Sequence, residues 1–211
     1  MGPIKSRNHT DEATSVKIIE QVQDDIKQAE TSLGEPIYGP TVLLESSFII
    51  ACIEQNDSNH KGAKSLLGFI EPHNCRIHIP LLVSAEVLSK LIHKGRSVSL
   101  AIKEYENFTK SIPGILYVGT QPDFEEISSR YKDAARKKLK ELQGNDFIIV
   151  TEGMIAGSII LTCDFKMYQK TKSYHKDIYF VATNSANYEN DVTRFVDNFL
   201  SMIGATKSNG T

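Results

Sequence analysis

Four carboxylates in this chain stand where an apolar segment gives way to a turn or a helix: Glu45, Glu86, Asp146 and Asp164. Glu45 closes the run Thr41-Val-Leu-Leu, and Asp164 closes Ser158-Ile-Ile-Leu-Thr-Cys; both runs read as buried parallel strands. The carboxyl ends of such strands are where open α/β sheets keep their chemistry, so the four positions describe one assembled acidic site. Anions about 4 Å apart repel by roughly 4 kcal/mol per pair at an effective dielectric of about 20, until a divalent ion neutralises them. Oxygen donors, with no Cys or His among them, favour Mg²⁺ or Mn²⁺ over zinc.

Each acid also has an ordinary reading. The helix that carries Glu86 is apolar almost all round, through Leu81, Leu82, Val83, Ala85, Val87, Leu88, Leu91 and Ile92. Glu86 there is either paired with a basic side chain or lines a cleft, because burying it alone costs several kcal/mol. Asp146 follows Gly144-Asn145 and precedes Phe147-Ile-Ile-Val, which is where a helix N-cap belongs. Asp164 would cap Lys166 to Tyr174 in the same way, and Glu45 would be a solvated turn residue. Their joint placement is what favours the site.

The elements that must position these acids alternate from Thr41 onward. Strand-like runs fall at 41–44, 76–79, 115–118, 158–162 and 177–182, and helical patterns fill 47–55, 60–70, 81–93, 97–110, 124–142, 147–156 and 191–203. Strands separated by helices imply an α/β fold with a mostly parallel sheet of about five strands and helices on both faces. Before it, residues 1–15 are polar, and Ile19, Val22, Ile26, Ala29 and Leu33 form an amphipathic stripe that Gly34 and Pro36 stop. The expected division is therefore 1–38 as a disordered start plus helical extension, 39–204 as the catalytic domain, and 205–211 as a flexible tail.

A chain of 211 residues, 40% of them hydrophobic, can bury one substantial core. Its formal charge of -2 argues against coating nucleic acid through global charge but leaves room for local basic stripes. Cys52, Cys75 and Cys163 have no C-x-x-C spacing and read as reduced core thiols. No apolar run reaches a membrane span of about 18 residues, so the expected compartment is the cytoplasm, with no membrane partner. Neither G-x-x-x-x-G-K-[ST] nor G-x-G-x-x-G occurs, which weighs against nucleotide binding.

In order along the chain, Leu44-Glu-Ser-Ser-Phe-Ile-Ile, Ile79-Pro-Leu-Leu-Val-Ser-Ala-Glu-Val-Leu, Asp146-Phe-Ile-Ile-Val-Thr-Glu-Gly-Met-Ile-Ala-Gly and Ile160-Leu-Thr-Cys-Asp-Phe resemble a PIN domain. The resemblance spans about residues 41 to 183. It implies a three-layer α/β/α nuclease fold and a divalent-metal-dependent endoribonuclease that uses Mg²⁺ or Mn²⁺, as in VapC-type toxins. It also implies 5′-phosphate and 3′-hydroxyl products. By position, Glu45, Glu86, Asp146 and Asp164 would be both catalytic and metal-binding, while Ser47 and Thr162 would orient the carboxylates. The family has Asp where this chain has Glu45, and the extra methylene moves the carboxylate by roughly 1.5 Å. Glu45 then binds through water, prefers Mn²⁺, or marks a site without activity; the last case is a degenerate PIN domain acting as an RNA-binding or assembly module.

Basic residues flank the proposed pocket: Arg136, Lys137 and Lys138 before Asp146, and Lys166 and Lys170 after Asp164. They would hold RNA phosphates, with Tyr168 stacking on unpaired bases, although a solvated helix face and a core aromatic explain them equally simply. The remaining expected partners are a cognate antitoxin and a second copy in a homodimer.

Overall fold

The computed structural model describes residues 40–73, 75–112, 115–118, 142, 144–181 and 188–202. The chain runs β1 (Thr41–Leu44), α1 (Ser46–Ile53), α2 (His60–Ile70), a 3₁₀ turn (Glu71–His73), β2 (Arg76–Ile79), α3 (Leu81–His93), α4 (Val98–Ser111) and β3 (Ile115–Val118). It continues with α5 (Asn145–Ile155), β4 (Ile159–Thr162), α6 (Phe165–Thr171), β5 (Ile178–Phe180) and α7 (Tyr188–Met202). The amphipathic stripe of residues 19–33, the helical pattern at 124–142 apart from Leu142, and the terminal segment from 203 lie outside the described residues.

The strands form one sheet of order β3-β2-β1-β4-β5, with every neighbouring pair parallel. Val42, Leu43, Leu44, Ile77, Ile79, Ile160 and Leu161 are fully buried, as a sheet covered on both faces requires. Strand parity sorts these residues between the faces. Leu43 pairs with His78 on one side and Ile160 on the other, so the three point the same way.

Helix α5 covers that face. A Cβ placed on Gly153 would stand 2.7 Å from Ile160 Cδ1 and 3.3 Å from Leu43 Cδ1, so only a glycine lets α5 lie this close to the sheet. One residue earlier, Glu152 Oε1 meets His78 Nε2 at 2.9 Å, a buried pair that joins α5 to β2. Helix α6 packs on β4 and β5. The opposite face takes α1 to α4, as right-handed crossovers from β1 to β2 to β3 demand. Helix α7 joins that side: Phe195 and Phe199 pack edge-on against Phe69 of α2, with ring centroids 6.0 and 5.4 Å away. This is the three-layer α/β/α fold, with a parallel sheet of five strands, that the PIN resemblance implies.

Candidate active site

The strand order fixes where a ligand can enter. From β1 the chain crosses toward β2, whereas from β4 it crosses toward β5, so the two adjacent central strands send their connections in opposite directions. A crevice opens at such a switch point, outside the carboxyl ends of the strands. Glu45 follows β1 and Asp164 follows β4.

Glu45 is buried, with 3% exposure, and is the N-cap of α1. Its Oε2 accepts from the Ser47 backbone N–H (2.9 Å), the Ser47 hydroxyl and Thr162 Oγ1 (3.0 Å), while Oε1 accepts from Ser46 Oγ (2.6 Å). Three of these bonds fall on Oε2 and one on Oε1, so protein donors take up most of the carboxylate's roughly four lone-pair sites. Lys90 Nζ in turn donates to Ser46 Oγ at 2.8 Å, bringing an ammonium to the rim of the crevice. The ordinary reading of Glu45 as a solvated turn residue therefore gives way to a buried cap. The extra methylene lets the carboxylate fold back onto the N-terminus of its own helix, where orphan N–H groups favour an anion.

Ser47 and Thr162 extend the network to the second strand end. The Cys163 N–H donates to Ser47 Oγ (2.8 Å), and the Asp164 N–H donates to Thr162 Oγ1 (2.9 Å). Asp164 caps α6 through Oδ1, which accepts from the Lys166 and Met167 N–H groups at 2.8 and 3.0 Å. Capping uses one of its two carboxylate oxygens.

The other two acids come from α3 and α5. Asp146 is not the cap of α5; Gly144 holds that position with φ 57°, a conformation suited to glycine, and Asp146 falls in the first turn. The turn directs Asn145 Nδ2 onto Glu86 Oε1 at 2.6 Å, which ties the start of α5 to α3. Burial pushes the Asp146 carboxyl above its ordinary range; the charges of Asp164, Glu45 and Glu86 push it further up, and Lys170 opposes them. The charges of the other three acids therefore reach Asp146. Helix α3 is less uniformly covered than its sequence suggests, with Leu81 and Ile92 exposed.

The donors are all oxygen, which suits Mg²⁺ or Mn²⁺. Among the described residues, no three His, Cys, Asp or Glu side chains lie close enough together to hold a metal ion. Glu86, Asp146 and Asp164 fit such an ion in chemistry and would have to draw together around it; Glu45, bound by its own donors, fits a direct contact poorly. Thiol chemistry is disfavoured here, because burial raises Cys52 to about 12, Cys75 to about 11 and Cys163 further still.

Lys166 and Lys170 lie on α6 beside the crevice, whereas Arg136, Lys137 and Lys138 lie outside the described residues. Tyr168 is only 8% exposed and packs beside Phe180 and Phe165, and Phe165 presents the open ring. Ser46, Lys90, Asn145 and Phe165 complete the surroundings of the acids. Sequence position carries a signal for each: three adjoin an acid, and Lys90 lies one helical turn beyond Glu86.

No protein-family model matches the chain, and no curated protein matches it. Its structure is similar to that of VapBC2 from Rickettsia felis, bound to a DNA fragment from its promoter, with 15% identity over 61% of this chain and 92% of that one at a TM-score of 0.47. It is also similar to Mycobacterium tuberculosis VapC20, a toxin that cleaves the sarcin-ricin loop, with 14% identity over 63% and 95% at 0.45. A domain of a functionally unknown protein from Methanocaldococcus jannaschii shares 19% over 70% and 94% at 0.43. Among the described residues, no helix is long and apolar enough to cross a membrane.

Proposed function

We propose that the chain is a divalent-metal-dependent endoribonuclease that hydrolyses RNA phosphodiester bonds at the crevice between β1 and β4. The observation that carries this reading is the placement of Glu45 and Asp164 at the carboxyl ends of the adjacent strands β1 and β4, a switch point, beside Asp146, whose carboxyl is raised by burial and by the three further acids. Such a site is electrostatically incomplete until a cation enters. Asp146, Asp164 and Glu86 would hold Mg²⁺ or Mn²⁺, with Glu45 setting the position of Ser47 and Thr162 beneath them. The bound ion would lower the pKa of an attacking water and neutralise charge on the phosphoryl oxygens. Glu86, on the helix facing the two aspartates, would complete the coordination or instead accept the water's proton, and Asn145 fixes its orientation. Lys166 and Lys170 would steer the phosphate backbone toward an otherwise repulsive pocket. In this reading the chain is a VapC-type toxin of the cytoplasm, with a cognate antitoxin and a homodimeric state, and residues 1–38 form an extension outside the nuclease domain.

A second reading rests on Glu45. Its carboxylate is largely taken up by protein donors, as it would be in a degenerate PIN domain that keeps the fold as an RNA-binding or assembly module. Cleavage of structured RNA by the purified chain with EDTA, Mg²⁺ or Mn²⁺, beside an Asp146→Asn, Asp164→Asn double variant, separates the two. Metal-dependent cutting lost in the double variant supports the nuclease; several RNAs left intact by both proteins support the module.

A further inference from the structure

We propose that Phe165 is a stacking platform for one unpaired nucleobase of an RNA strand lying across the acidic crevice. This proposal deepens the nuclease reading and rests on it.

Phe165 is 44% exposed. A lone exposed apolar side chain is ordinary on a protein surface, so exposure alone decides nothing. What distinguishes this one is its support and its address. Phe180 lies beneath it at 5.2 Å between centroids and Tyr168 at 6.4 Å, with Tyr168 and Phe180 themselves 5.7 Å apart. Both supporting rings are buried, at 7% and 8% exposure. The open ring is thereby backed by a packed aromatic cluster, and a base stacking on it would cost little side-chain entropy.

Its address is the residue after Asp164, at the mouth of the crevice. Helix α6 (Phe-Lys-Met-Tyr-Gln-Lys-Thr) carries two lysines and no acid, and Lys172 follows it with Nζ 5.3 Å from the Tyr168 ring. Lys170 acts electrostatically on Asp146, so this basic helix borders the acidic site itself. The surface thus offers one flat apolar ring edged by cations, with exposed Lys166 and Gln169 as immediate neighbours. That matches a base whose flanking phosphates meet ammonium groups. A protein partner's anchor would need a broader apolar surround than Lys166 and Gln169 provide.

The test uses the full chain carrying Asp146→Asn, which binds without cutting, and a single-stranded RNA containing the fluorescent base 2-aminopurine. Anisotropy reads affinity, and quenching of 2-aminopurine reads stacking. Phe165→Leu keeps an apolar side chain over Phe180 but removes the π face; it should weaken binding roughly 5- to 150-fold and abolish quenching. Phe165→Tyr should retain both, and neither variant should change the dependence of affinity on salt, because no phosphate contact is lost. Phe165→Leu that binds and quenches like its parent would overturn the platform and leave the nuclease reading standing on its cleavage assay, with the ring then free to serve a protein partner. A chain that binds no RNA and cuts none would overturn both.

Discussion

Glu45→Gln and Asp146→Asn remove one negative charge each from the same crevice, yet they should move stability in opposite directions. Glu45 accepts four hydrogen bonds in a buried setting. In the Glu45→Gln protein the new amide oxygen must stay where Oε2 was, since three donors converge there. The amide nitrogen then faces Ser46 Oγ, whose proton loses its acceptor while Lys90 continues to donate to the oxygen. Bonds to an ionised acceptor contribute about 1.5–3 kcal/mol against about 0.5–1.5 for neutral ones, so three bonds weakened by about 1 kcal/mol each and one lost bond of about 1.5–3 kcal/mol cost roughly 4.5–6 kcal/mol. Relief of repulsion with the other acids returns about 1–2 kcal/mol at an effective dielectric of about 20. The net loss is about 3–4 kcal/mol, a fall in Tm of roughly 6–16 °C for a domain of this size.

For Asp146 the balance reverses, because no hydrogen bond from a described residue reaches its carboxylate, and burial and three neighbouring acids all disfavour its charge. Asp146→Asn should stabilise by roughly 0.5–2 kcal/mol at neutral pH. The folded pKa lies above the unfolded one, so the native state binds more protons in the interval between them, and stability contributed by this group falls as pH rises through it. The advantage of the variant should therefore be full above the raised pKa and vanish below the ordinary carboxylate range. Thermal melts of both variants and wild type across that interval, in EDTA, read the difference. Equal destabilisation by both, or stabilisation by both, would refute the assignment of Glu45 as a structural cap and Asp146 as the strained member of the cluster.

Gly153→Ala gains about 1 kcal/mol of helix propensity but forces a Cβ to within 2.7 Å of the fully buried Ile160, and overpacking costs about 1–3 kcal/mol. A net loss of up to about 2 kcal/mol in urea unfolding is expected, and Ile160→Val in the same chain should recover part of it. Glu45→Asp shortens the side chain and releases some of its inward bonds; if this position belongs to the metal cluster, RNA cleavage should be preserved or raised, and a Glu45→Asp protein that cuts less well than wild type returns the position to a purely structural role.

The strand positions and the ends of Leu81–His93 were legible because Val, Ile and Leu runs bounded by polar turns leave few alternatives. The parallel sheet followed from alternation of strands and helices, and the placement of Glu45 and Asp164 at one edge followed from the sheet. Rotamers were not legible. Nothing in Leu44-Glu-Ser-Ser states that the glutamate turns back to accept from both serines, since that depends on the helix N-terminus it meets in space. Gly144 displaced Asp146 from the cap because its left-handed φ starts α5 two residues earlier. Likewise, burial of Tyr168 and exposure of Phe165 depend on β5 supplying Phe180, a contact across sequence that local pattern does not contain.

The most direct test of the central claim, that the acids at the β1/β4 crevice form one cation-demanding site, is titration of Mn²⁺ into the metal-free chain, followed by electron paramagnetic resonance. Binding at micromolar to millimolar Mn²⁺ that Asp146→Asn and Asp164→Asn each weaken by tenfold or more, while Glu45→Gln changes it less, is the expected result. No saturable binding, or binding indifferent to Asp146 and Asp164, would contradict it.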